Sequence, residues 1–197
     1  MAASAPPAPG VDLAPGPAHA WATACEYAAC TLDTEPGSAR LARDFVRSTL
    51  RAWGFEDRLA DVELVAHEFV VNALTHGLGH VWAEPCPHPV VLGLFRDGDD
   101  MLCAAFDPGI RQPRPVWHRT EPSPLADAGR GLQLVAAVSE YWGWTPPGPE
   151  GKAVWAAFCS APAVPPALAN RLLSLTELLT GRERPRLITA TARPAAA

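Results

Sequence analysis

Lysine is almost absent from this 197-residue chain: Lys152 is the only one, and arginine supplies the rest of the 16 basic side chains, against 21 acidic ones. The formal charge of −5 gives no suggestion of the basic face that direct nucleic-acid binding requires. No apolar run approaches the roughly 20 residues needed to span a bilayer, so no membrane partner is expected. The opening segment, Met1 to Gly10, has neither a basic stretch nor an apolar one and does not read as a secretory signal. Paired cysteines are missing too. Cys25, Cys30, Cys86, Cys103 and Cys159 are odd in number and form no Cys-x-x-Cys pair, which favours free thiols in a reducing, cytoplasmic setting over a disulfide framework.

What is present is enough apolar material, 48% of residues, for the core of one ordinary domain with tails. Residues 1–20 are Ala, Pro and Gly with few large apolar groups and read as a disordered tail. The folded domain is expected over 21–162, with a C-terminal helix and flexible tail over 163–197. Within it, Trp21 to Thr31 reads as a strand. Residues 38–53 read as an amphipathic helix with Leu41, Phe45, Val46, Leu50 and Trp53 on one stripe, ended by Gly54. Asp57 reads as the N-cap of a second helix, about 58–76, with Gly77 as its C′ residue. Two apolar runs, Val90–Phe95 and Met101–Phe106, flank Asp97-Gly98, a hairpin signal. Residues 110–128 hold Pro113, Pro115, Pro122 and Pro124 without periodicity and read as a long loop. A helix from Leu132 to about Trp142, a strand Lys152–Cys159 and a leucine-striped helix over 166–180 complete the order. Strand, helix, helix, hairpin, loop, helix, strand, helix predicts an α/β fold: a two-layer sandwich with helices packed on one face of a mixed, mostly antiparallel sheet.

Three motifs carry chemistry. Glu68 and Asn72 stand four residues apart, so one helical face presents a carboxylate and an amide oxygen one turn apart. Their neighbours Leu64, Val65, Phe69, Val70, Val71 and Leu74 are apolar, and an acid in such company must be paired, solvated in a cleft or set beside a metal. Taken alone, the pair is also compatible with a solvent-facing acid and a local hydrogen-bonder. Asp107-Pro-Gly109 follows a strand; its carboxylate can accept a bond from an exocyclic amino group, and Gly109 admits a ligand ring close to the backbone. Taken alone, it reads first as a plain turn. Gly129-Arg130-Gly131-Leu132 opens a helix, whose N-terminal N–H groups and dipole suit phosphate, with Arg130 as an added charged donor.

The order of these boxes, with Gly151-Lys152-x-Val-Trp155 on a later strand, resembles the ATP-binding domain shared by gyrase, heat-shock chaperones and histidine kinases. More narrowly, it resembles the histidine-kinase-like ATPase domain of bacterial anti-sigma factor serine/threonine kinases and their actinobacterial relatives. The resemblance runs from about Leu32 to Phe158. It includes Ala39-Arg-Leu-Ala-Arg-Asp-Phe-Val46, Leu50, Trp53-Gly54, Glu63-Leu-Val, Asn72-Ala73, His76, and Gly129-Arg-Gly-Leu-Gln-Leu-Val135 through Trp142-Gly143.

The resemblance implies ATP and Mg2+ as ligands. Glu68 would be the catalytic base or water-orienting acid, and Asn72 would bind Mg2+. Asp107 would read the adenine amino group, with Gly109 beneath the ring. Gly129, Arg130, Gly131 and Leu132 would border the phosphates, with residues 110–128 as a lid. It further implies a kinase acting on a regulatory partner, a sigma factor or an anti-anti-sigma factor. The alternative is a catalytically weak ATP- or ADP-binding partner-switch module that regulates transcription by protein binding only. Where the family often reads Gly-Lys-Thr-Val-Trp, Ala153 replaces the hydroxyl, which puts one polar nucleotide contact in doubt.

Other features have plainer readings. His76, His80, Cys86 and His88 match no strong metal spacing. Trp142 and Trp144 read as flanking a turn. Lys152 reads either as a phosphate-neutralising group or as a solvated strand end. The 166–180 helix reads first as packing on its own domain and second as a partner or homodimer surface.

Overall fold

Along three neighbouring strands, even- and odd-numbered residues go to opposite sides of a sheet, and both sets are apolar. In the computed structural model, which describes residues 25–33, 37–77, 90–113 and 130–190, these are β2 (Val90–Asp97), β3 (Asp100–Asp107) and β5 (Lys152–Phe158). With β1 (Glu26–Leu32), β4 (Tyr141–Trp144) and β6 (Ile188–Ala190) they form a six-stranded sheet in the order β1-β2-β3-β5-β4-β6. Every ladder is antiparallel.

One face carries Leu92, Leu94, Met101, Cys103, Ala105, Val154, Ala156 and Phe158. It is covered by α1 (Ser38–Trp53), α2 (Leu59–Asn72) and α3 (Gly131–Val138), through Val46, Leu50, Val62, Val65, Phe69 and Val135. This is the expected α/β sandwich. The other face carries Phe95, Leu102, Ala104, Ala153, Trp155 and Ala157. It is covered by α4 (Pro166–Thr180), through Leu168, Ala169 and Leu172, so helices lie on both faces of an antiparallel sheet where one covered face of a mixed sheet was expected. Each fully buried side chain of this size contributes about 1.5–3 kcal/mol, so both faces need their helices.

Local details explain the boundaries. Gly54 ends α1 in the left-handed conformation (φ 76°), and Phe55 N–H returns to the Leu50 carbonyl at 2.9 Å. The buried stripe of α1 is Ser38, Ala42, Val46 and Leu50. Leu41, expected on the stripe, is 51% exposed. Asp57 does not cap α2. It lies in a 3-10 turn, Glu56–Arg58, that leads into the helix, and Arg58 occupies the N-cap position without a side-chain capping bond. The hairpin loop is Gly98-Asp99, closed by the Asp97–Asp100 pair, with Gly98 at φ 62° as a two-residue loop demands.

Two expected elements change. The helix expected to reach Trp142 stops at Val138, where Ser139 turns extended (ψ 150°) and its hydroxyl donates to the Val135 carbonyl at 2.7 Å. Tyr141–Trp144 then forms β4, so Trp142 and Trp144 belong to a strand rather than flanking a turn. Aromatic residues favour the pleated, half-buried surface of a strand. The short edge strand β6 was not foreseen; it pairs Trp142, Gly143 and Trp144 with Ala190, Thr189 and Ile188. The expected tail over 1–20 lies outside the described residues, as do Trp21–Ala24 of the first expected strand.

Candidate functional site

The last turns of α2 collect the candidate residues. After Asn72 the helix widens into a π-turn, Ala73–Gly77, a feature often found at functional sites. Val62, Val65, Ala66, Phe69 and Val70 hold α2 in the core, leaving Glu68 and Asn72 half-buried on its flank. The first residue of α3 stands against that flank. A side-chain carbon on Gly131 would run into Glu68 Oε2 and lie 3.6 Å from Asn72 Nδ2. Glu68, Asn72 and the glycine opening α3 thus converge on one point. Leu132, next in α3, is buried in the core below, and Arg130 is exposed at the N-cap position.

Further along α2, a second cluster surrounds Asp107 at the end of β3. Gly77 closes the π-turn that follows Asn72. A Cβ on Gly77 would come within 2.7 Å of Asp107 Oδ1. Gly109 is equally constrained: its Cβ would lie 2.7 Å from both Asp107 Oδ1 and the Gly77 Cα. Gly77 is therefore not a left-handed helix cap; it is a glycine because Asp107 packs on it. Gly151 meets the Asp107 carbonyl and Pro108 from the other side, at φ 131°.

Asp107 is 5% exposed and does not lie open as a turn residue would. Its Oδ1 accepts the Gly109 N–H at 2.8 Å and the Lys152 ammonium at 2.6 Å. Lys152 also donates to the Gly109 carbonyl at 3.0 Å. Asp107 and Lys152 are direct cross-strand partners of β3 and β5, the geometry in which opposite charges meet. Burial pushes the Asp107 carboxyl above the usual carboxylate range; Lys152 and the Gly109 N–H act against that rise. Lys152 is 6% exposed. It is not a solvated strand end, and its ammonium is engaged by Asp107 and the Gly109 carbonyl.

The structure thus brings Glu68, Asn72 and Gly131 together, and separately Asp107 and Gly109, with Arg130 at the rim of the first group, whereas Leu132 belongs to the core. Gly129 and most of the expected lid, 114–128, lie outside the described residues, as do His80, Cys86 and His88. Ala153 is fully buried under α4, on the face of the sheet away from α2; its backbone N–H donates to the Thr145 hydroxyl at 2.9 Å. Gly151 and Lys152 stood in a box of the family resemblance, but the pairing of Lys152 with Asp107 and the packing of Gly77 on that carboxylate were not foreseen. The available signal was a lone lysine opening an otherwise apolar strand.

Among the described residues no cluster of three or more His, Cys, Asp or Glu could hold a metal ion by itself. The donor set at Asn72 and Glu68 is one of hard oxygens. That suits Mg2+, which takes few protein ligands and completes its shell with phosphate and water. Among the same residues no helix is long and apolar enough to cross a membrane.

The family model of the histidine kinase-like ATPase domain matches residues 32–158. Among curated proteins none matches the chain. Among solved structures, the RsbU and RsbW domains of Rv1364c from Mycobacterium tuberculosis align with 20% identity and a TM-score of 0.49, over 68% of this chain. This chain covers 31% of that one.

Proposed function

Because the chain belongs to the histidine kinase-like ATPase domain family, we propose that it is an ATP-binding regulatory protein that transfers the γ-phosphate to a serine or threonine hydroxyl of a protein partner. The observation that carries this reading is the convergence of Glu68 and Asn72 on the N-terminus of α3, with Asp107, the last residue of β3, packed on Gly77 where the π-turn after α2 ends. An acid, an amide and a helix N-terminus meet at one point, and a second carboxylate stands apart from them.

The roles follow from chemistry. Asp107 would accept a hydrogen bond from the adenine amino group. Gly131, having no side chain, would let phosphate oxygens reach the N–H groups that open α3, with Arg130 beside them. The Asn72 side-chain oxygen would hold Mg2+, whose charge, when it is bound, lowers the cost of negative charge building up on the phosphates. Glu68 would orient the acceptor hydroxyl and take its proton. The hydroxyl oxygen forms a bond to the γ-phosphorus as the bond from that phosphorus to the β,γ-bridging oxygen breaks. ADP leaves with that oxygen and its electron pair. Positioning and electrostatics supply most of the catalysis in such transfers.

The partner class proposed from the motif resemblance is a sigma factor or an anti-anti-sigma factor, the second being the phosphate acceptor. Transfer of label from γ-labelled ATP to such a partner tests the reading. Wild type is expected to transfer, and Glu68→Ala to bind ATP but transfer at least about a hundredfold more slowly. Tight ATP-dependent partner binding without transfer by wild type would instead establish the catalytically weak partner-switch module.

A further inference from the structure

The chain's single lysine is spent on a buried contact. Two charges nine-tenths or more removed from solvent are costly to hold, and such a pair is weak evidence of stabilisation in itself. A hydrophobic residue at the head of β5 would serve the core better, as its neighbours Ala153 to Phe158 do. Lys152 bridges both ends of one short turn: it bonds the Asp107 side chain at 2.6 Å and the Gly109 carbonyl at 3.0 Å, while Gly109 N–H bonds the same Oδ1 at 2.8 Å. Two glycines wall the carboxylate in, since a side chain on Gly77 or Gly109 would strike Oδ1, while Gly151 packs on the Asp107 main chain, where a side chain would strike the backbone carbonyl. The carboxylate can neither rotate away nor exchange its two donors at Oδ1. The oxygen left to act as acceptor is Oδ2.

We propose that Lys152 is a positioning and base-specificity residue: it clamps Oδ1 of Asp107, commits Oδ2 to accepting the exocyclic amino group of adenine, and so sets the site against 6-oxopurines. The inference rests on the nucleotide-binding reading above and assigns Lys152 to the base end of the site rather than to the phosphates. A carboxylate locked as a pure acceptor repels the 6-oxo group of inosine or guanosine, because two acceptors face each other. A protonated Asp107 would reverse that preference by donating. Among the described residues, Lys152 from β5 is the charged group acting on Asp107. From the other adjoining segments, His76 on the π-turn and Arg111 beyond the Asp-Pro-Gly turn are both exposed.

The test is titration of wild type, Lys152→Met and Lys152→Arg with Mg-ATP and Mg-ITP between pH 5.5 and 8.5, with thermal unfolding of each. Wild type is expected to prefer ATP, with affinity falling as acidification protonates Asp107. In Lys152→Met the strongest influence opposing protonation is gone, so the fall in ATP affinity moves to higher pH. At pH 7 that variant should bind ATP about tenfold or more weakly, and its ATP-over-ITP preference should shrink. Lys152→Arg keeps the charge and should keep the pH midpoint near that of wild type, which holds the proposal open to refutation even if the Met variant does not fold. An unchanged ATP:ITP ratio and pH profile in Lys152→Met, or an Arg variant whose midpoint moves far upward, overturns the role of Lys152 while leaving ATP binding intact. A wild type that binds no ATP overturns the nucleotide reading and this inference with it.

Discussion

Glu68 Oε2 fills the space that a side-chain carbon on Gly131 would need. The obstructing atom is the end of a flexible side chain, and Gly131 is not in the left-handed region. Gly131→Ala can therefore be accommodated, and Glu68 is what moves. The substitution also replaces a poor helix former by the best one at the start of α3. Stability is expected to stay within about 1 kcal/mol of wild type, or to rise. Phosphate transfer should drop by about a hundredfold, since misplacement of a catalytic group by about 1 Å costs that much. Calorimetric unfolding and transfer from labelled ATP, measured on the same preparation, check both halves. Unimpaired transfer would show that the Glu68–Gly131 contact has no catalytic meaning.

Gly109→Ala should behave in the opposite way. Its new carbon would lie 2.7 Å from backbone, the Gly77 Cα, as well as from Asp107 Oδ1. Backbone cannot swing aside as a side chain can, so overpacking is expected to cost about 1–3 kcal/mol and ATP binding should weaken with it. Gly37→Ala, where nothing lies within 4 Å, is the comparison and should change ATP affinity little. Denaturant unfolding with ATP titration separates the two.

The contrast between these glycines also marks how far the sequence could be read. Glu68 and Asn72 were legible because a helix turns one residue into the neighbour of the next-but-three. Asp107-Pro-Gly109 was legible because it ends an apolar strand. Gly54 and the Gly98 hairpin were legible because local turn chemistry fixes them. Gly77 and Lys152 were not, because their reasons are nonlocal. One is a glycine on account of a carboxylate thirty residues away. The other is a lysine on account of its partner across an antiparallel ladder between β3 and β5. The overlong third helix failed for a related reason. Nothing local marks Ser139 as a stop, and Tyr141–Trp144 becomes a strand because the free edge of β5 accepts it.

Thiol reactivity should follow burial. Burial pushes the Cys30 thiol up to about 11 and the Cys159 thiol up to about 11, and raises Cys103, fully buried, further still. Only the thiolate reacts, so at pH 8 alkylation at Cys30 and Cys159 should be far slower than in the unfolded chain. It should speed up about tenfold per pH unit up to pH 9.5, and Cys103 should stay unmodified. The sign for stability is downward with pH. The folded state keeps these protons to higher pH than the unfolded chain does, so stability falls as pH climbs from 9 toward about 11. Mass-spectrometric mapping of iodoacetamide adducts, site by site, measures the first effect, and denaturant midpoints at pH 8 and 9.5 the second. Rapid modification of Cys103 in the native protein would contradict the buried position of β3.

The C-terminal helix should be indispensable even though it lies outside residues 32–158. Leu168, Ala169 and Leu172 of α4 close the apolar face formed by Phe95, Leu102, Ala104 and Trp155. Without that helix the sheet would expose Trp155 and Phe95 together, and an uncovered patch of that kind drives aggregation. Leu172→Ala leaves a cavity in a fully buried position and should cost about 2–5 kcal/mol. Leu178→Ala, at an exposed position of the same helix, should cost less than about 0.5 kcal/mol. Because Leu172 lies on the face of the sheet away from Glu68 and Asn72, the surviving folded fraction should bind ATP with unchanged affinity. A chain ending at residue 162 should be insoluble or unfolded. If it folds and binds ATP like the full chain, α4 is an appendage, and the second face of the sheet must be covered by something else.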